Sequence, residues 1–107
     1  MQIIKIEANV AWKFFRATGG NWVAVCDPLG LTVQSDTYAN LMEDIALTLN
    51  ALLKDLLEER ELDKFLLDRG WRSVQGIIPT APDDVYFDVP FAATRAVDSD
   101  SQAPVYQ

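Results

Sequence analysis

The sequence predicts an α+β domain in which a three-stranded antiparallel sheet is covered by an amphipathic helix, with a short second helix and a C-terminal edge strand after it. Three observations carry this reading. β-branched and aromatic residues dominate from Ile3 to Ser35 between clear turn signals, the apolar period changes from two to about 3.6 after Tyr38, and 50% of the 107 residues are apolar. A chain of this length buries roughly two-thirds of the surface its unfolded form exposes, which is enough for one core and one domain.

The elements follow in order. Ile3, Ile4, Ile6, Val10, Trp12, Phe14 and Phe15 suit the half-buried surface of a pleated sheet and form one long strand or two short ones. Thr18-Gly19-Gly20-Asn21 supplies residues that tolerate positive φ, so Trp22 to Cys26 returns as the second arm of a hairpin. The turn Asp27-Pro28-Leu29-Gly30 leads into Leu31 to Ser35, with Leu31, Val33 and Ser35 on one face. From Tyr38, Leu41, Ile45, Leu49, Leu52, Leu53 and Leu56 recur at spacings of three and four, which marks a helix ending near Arg60. Asp36 and Thr37 are both suitable N-caps. Glu61 to Arg69 repeats the pattern, with Leu62, Phe65 and Leu66 inward and Gly70 as its stop. Trp71 to Val74 has strand character, and Pro79 to Asp84 is a loop because prolines exclude both helix and sheet interior. Val85, Phe87, Val89 and Phe91 share one face of a last strand, placed at an edge because Pro90 cannot donate to a ladder. The boundaries are therefore 1–91 for the domain and 92–107 for a flexible acidic tail, with Asp98 to Gln102 expected to fray.

The segment from Asn21 to Thr37, with Asp27-Pro28-Leu29-Gly30 between two short strands and Asp36-Thr37 at a helix start, resembles the signature of the HicB-like antitoxins. The likeness covers roughly Val10 to Trp71. It implies a partial ribonuclease-H-like fold of order β-β-β-α-β. It also implies an antitoxin-like module that binds and neutralises a small basic mRNA-cleaving toxin, a HicA-like protein. Asn40 stands where such helix starts usually carry Glu, and the segment after Phe91 is too short and too acidic for the DNA-binding extension that such proteins often carry.

Composition narrows the function classes independently. Sixteen acidic residues against nine basic ones give a net charge of -7, which repels a phosphate backbone and attracts a basic protein. Direct nucleic-acid binding is therefore not expected. There is no histidine and only one cysteine, which removes His-dependent acid–base chemistry, disulfides and cysteine-rich zinc sites. Cys26 ends an apolar strand and reads as a small core residue. The first ten residues lack a signal-peptide pattern and no apolar run spans a bilayer, so a soluble, cytoplasmic protein without a membrane partner is expected.

A ribonuclease-H-like sheet prompts a search for converging carboxylates. Glu7, Asp27, Glu43 and Asp44 are the candidates, and solvated surface carboxylates are the preferred reading, so neither catalytic, metal nor cofactor residues are assigned. Trp12, Trp22 and Trp71 read as packing residues before recognition residues. The acidic run from Asp55 to Asp68, broken by Arg60 and Lys64, reads as a solvated helix surface. Partner-binding residues are placed in the edge strand and its approach: Asp83, Asp84, Tyr86, Phe87 and Val89. Pairing of that strand with a second copy leads to the expectation of a homodimer or a larger assembly of dimers. The alternatives to the toxin-binding reading are a stand-alone homo-oligomeric structural or adaptor protein, and a degenerate nucleic-acid binder or nuclease.

Overall fold

The computed structural model describes residues 1–96. Two ribbons, each bent once, define the architecture. The first is β1 (Gln2–Glu7) followed by β2 (Val10–Arg16), after which come β3 (Trp22–Cys26), β4 (Leu31–Ser35), α1 (Tyr38–Glu58), α2 (Leu62–Arg69) and β5 (Arg72–Ser73). The second bent ribbon is β6 (Val85–Asp88) followed by β7 (Phe91–Arg95). The result is an α+β fold with a three-stranded sheet, β5-β1-β6, and a four-stranded sheet, β4-β3-β2-β7. Both are mixed: β1 pairs parallel with β6 and β2 with β7, while β2, β3 and β4 are antiparallel.

Inward parity survives the bends. Ile4, Ile6, Val10, Trp12 and Phe14 are all buried at even positions, and Val85, Phe87 and Val89 at odd ones. The register passes from Lys5↔Asp88 to Val10↔Phe91, so the first ribbon spends two more residues at the bend than the second. An even difference keeps the buried side chains of both ribbons on the core face.

Helix α1 covers that face with Leu41, Ile45, Leu49, Leu53 and Leu57, all buried. Each such side chain contributes roughly 1.5–3 kcal/mol through burial. Thr37 caps the helix by accepting from the Asn40 N–H at 3.1 Å. Asn40 in turn donates its side-chain amide to Asp36 at 3.0 Å, so both expected capping residues are used. Pro28 lies in a short 3-10 turn, Asp27–Leu29, and Gly30 ends it at φ 66, a left-handed conformation that favours glycine. Gly70 closes α2 in the same way, at φ 71.

Two sequence-based expectations change. The last strand is two segments rather than one from Val85 to Phe91, because Pro90 interrupts the ladder between β6 and β7. Its second segment also runs into what was expected to be tail: Ala92 to Arg95 pair with β2, through Ala11↔Ala92 to Phe14↔Arg95. The boundary at 91 therefore cuts through a strand. Asp98 to Gln102, expected to fray, lie outside the described residues.

Candidate interaction surface

The helices lie on one face of the structure, and charge is divided between the layers. Strands β2, β3, β4 and β7 contain no Asp or Glu; their charged residues are Lys13, Arg16 and Arg95. Carboxylates concentrate where α1 gives way to α2. Glu58, Glu59, Glu61 and Asp63 are exposed there, around Arg60, whose φ of 63 turns the chain. Arg60 and Lys64 only partly offset them. The carboxylate of Asp68 accepts from Lys64 at 2.8 Å, and this hydrogen bond and charge hold the ammonium above its ordinary range.

The same end carries apolar surface. Leu67 is 81% exposed, and Val74 and Ile77, on the loop after β5, are exposed as well. Two adjoining cavities lie between α2 and this loop. One of about 360 Å³ is lined by Leu57, Arg60, Leu62 and Asp63 against Ile78, Pro79 and Thr80. The other, about 300 Å³, shares Asp63 and Ile78 and adds Leu66, Leu67, Trp71 and Gly76. A short helix bears an outward leucine here because Leu62 and Leu66 already fill its inward stripe. The Asp63 carboxylate and exposed Leu67 in the wall of one cavity form a surface suited to a side chain with an apolar stem and a basic head.

The expected partner-binding residues separate into two groups. Asp83 and Asp84 are exposed, in the loop that continues from the cavities, and Asp84 lies 3.5 Å from the N-terminal ammonium. Tyr86 is half-buried on the face away from α1. Phe87 and Val89 are buried in the chain's own core, at 0% and 5% exposure, so their side chains are not on a surface. The outer edge of β6 is itself covered: the Phe87 N–H donates to Asn50 Oδ1 of α1 at 2.7 Å. Sequence reasoning missed Asn50, Leu67, Val74 and Ile77. Leu67 was legible as the one leucine off the inward stripe of α2, whereas nothing local marks Asn50.

The carboxylates considered for metal chemistry do not converge. Glu7 accepts from Arg72, its direct neighbour in the β1–β5 pairing, and that contact raises the Arg72 pKa. Asp44 accepts from the Ser35 hydroxyl, Asp27 opens the 3-10 turn, and Glu43 is exposed on α1. Among the described residues no group of three His, Cys, Asp or Glu side chains is placed to hold a metal ion.

Cys26 is buried. Trp12 lies fully inside the core, where its indole N–H finds no acceptor among the described residues. Trp22 packs edge-on against Tyr38, 5.6 Å between centroids, and beside Phe14, with the Arg16 guanidinium 5.5 Å from its ring centroid. Trp71 meets Phe65 of α2 edge-on at 5.5 Å. No helix of the described residues is long and apolar enough to cross a membrane. Comparison with protein-family models, curated proteins and solved structures gives no match to this chain.

Proposed function

We propose that this protein is a non-enzymatic protein-binding module of the HicB-like antitoxin kind, acting in the cytoplasm, that takes a small basic mRNA-cleaving toxin on the surface between α1, α2 and the 74–84 loop. The observation that carries the proposal is a pair of adjoining cavities that share Asp63, one of them also lined by exposed Leu67, with exposed Glu58, Glu59 and Glu61 just before Asp63 in the chain and exposed Val74 and Ile77 on the loop whose Gly76 and Ile78 complete the lining. A basic partner is drawn by the carboxylates, which govern the rate of encounter, and held by desolvated apolar contact, which governs the rate of escape. The partial ribonuclease-H-like reading draws support from the chain order of the larger sheet: three antiparallel strands, a covering helix, then a strand parallel to the first.

The test begins with the reading frame beside this one, which should encode a small basic protein. Purified together, the two should form a complex in which the partner's RNA cleavage is blocked at equimolar ratio. Replacing Glu58, Glu59 and Glu61 by Gln should slow association about tenfold at low salt and much less at high salt, the signature of steering. Leu67→Ser should speed dissociation without lowering the melting temperature, because the side chain touches little of its own fold. Unimpeded RNA cleavage in a micromolar excess of this chain, or binding indifferent to both sets of changes, would overturn the proposal.

A further inference from the structure

Among the described residues the outer edge of β7 is open, and we infer that it pairs with the β7 edge of a second copy, independently of what occupies the acidic surface. The hydrogen-bond parity shows which groups are free. The Ala96 N–H donates to the Phe14 carbonyl at 2.8 Å, and in a parallel ladder alternate residues serve the same neighbour. Ala92, Thr94 and Ala96 therefore face β2, while the N–H and C=O groups of Phe91, Ala93 and Arg95 point outward. Among the described residues only β2 makes substantial contact with β7. By contrast, β6 has Asn50 bonded to its outward amide at Phe87.

Open edges are usually blunted by an inward charge, a lysine, a bulge or a mid-strand proline. β7 has no lysine, bulge or mid-strand proline; Pro90 precedes it, and its one charge, Arg95, has the core-facing parity but stands exposed at the last position of the strand. Its sequence also complements itself. In an antiparallel pair centred on Ala93, Ala93 faces Ala93 of the second copy and Phe91 faces Arg95. These are the outward-pointing residues, so each facing pair exchanges both backbone bonds. Arg95 then lies beside a phenyl ring, a favourable cation–π neighbour. Ala92 faces Thr94 with no steric obstacle.

Charge permits the approach although each copy carries -7. The strands of this sheet contain no carboxylate, and the two Arg95 residues fall roughly 14 Å apart along the pair, beyond the screening length at physiological salt. Facing residues share a sheet face, so both α1 helices lie on one side, and the uncovered faces bearing Phe15, Val23 and Val25 merge on the other.

Sedimentation velocity of the full chain over a concentration series should show reversible dimerisation, while amide exchange at high concentration slows selectively at Phe91, Ala93 and Arg95. A92D/T94D sets carboxylates against each other at two exposed facing pairs and should weaken dimerisation about tenfold. A92K/T94D, with opposite charges facing, should restore it to within about threefold of the original chain. A monomer at about millimolar concentration overturns the inference, as does a dimer whose affinity is the same in A92D/T94D, since that dimer uses another surface.

Discussion

Replacing Asn50 by alanine isolates the energetic cost of an uncovered sheet edge. Asn50 Oδ1 accepts from the Phe87 N–H at 2.7 Å. The Gln2 N–H donates to the Asp84 carbonyl at 2.8 Å, which fixes the parity of the β1–β6 ladder and directs the Phe87 N–H away from β1. Without Asn50 that donor, on a fully buried residue, loses its acceptor. Leaving a buried donor unmet costs about 1–3 kcal/mol. Alanine is the better helix former by up to about 0.7 kcal/mol, which works in the opposite direction. The edge term is larger, so the variant should be less stable by about 1–2 kcal/mol, a fall in Tm of about 5–10 °C for a domain of this size. Asn50→Asp keeps an acceptor oxygen and should recover most of the loss at neutral pH. Urea titrations of the three proteins measure the energies, and amide exchange at Phe87 reports the bond itself. An alanine variant as stable as the original, with unchanged protection at Phe87, would show that propensity wins and that Asn50 does not cover the edge.

Leu49 is 1% exposed in the centre of the α1 stripe, so Leu49→Asp buries an unpaired charge and should cost more than about 4 kcal/mol or prevent folding. Exposed Glu58→Ala should lie within about 0.5 kcal/mol of the original by the same thermal melts, and equal melting points for the two would mean the helix face is misassigned. At Gly30 a Cβ meets nothing within 4 Å but the φ is 66, so Gly30→Ala should cost about 1 kcal/mol from backbone conformation alone; no loss in a denaturant titration would contradict that turn geometry. Incubation with RNA, DNA and hybrid substrates in magnesium or manganese should leave them intact, and cleavage abolished by Glu7→Ala or Glu43→Ala would return the chain to the nucleases.

Local pattern determined much of this protein. The α1 stripe, the Thr37 cap, the Gly30 and Gly70 stops and the β2–β3 hairpin were all legible because each is set by neighbours a few residues apart, through a period, a capping oxygen or a permitted positive φ. The edge position of the last strand was legible too, since Pro90 states locally that a ladder bond is missing. What the tertiary structure alone decided involves partners far apart in the chain. Ala92 and Ala93 carry little strand signal, and they form β7 because β2 offers a row of unused backbone groups to satisfy. Tyr86 and Phe87 looked equally available as contact residues, yet the parallel register with β1 turns Phe87 into the core and leaves Tyr86 on the opposite face. The gathering of Leu57, Asp63, Leu67 and Ile78 around neighbouring cavities likewise depends on how the loop after β5 folds back against α2. Spacing along a chain reports which face a residue takes within its own element, whereas the partner of that face is chosen by backbone groups and apolar area competing across the whole domain.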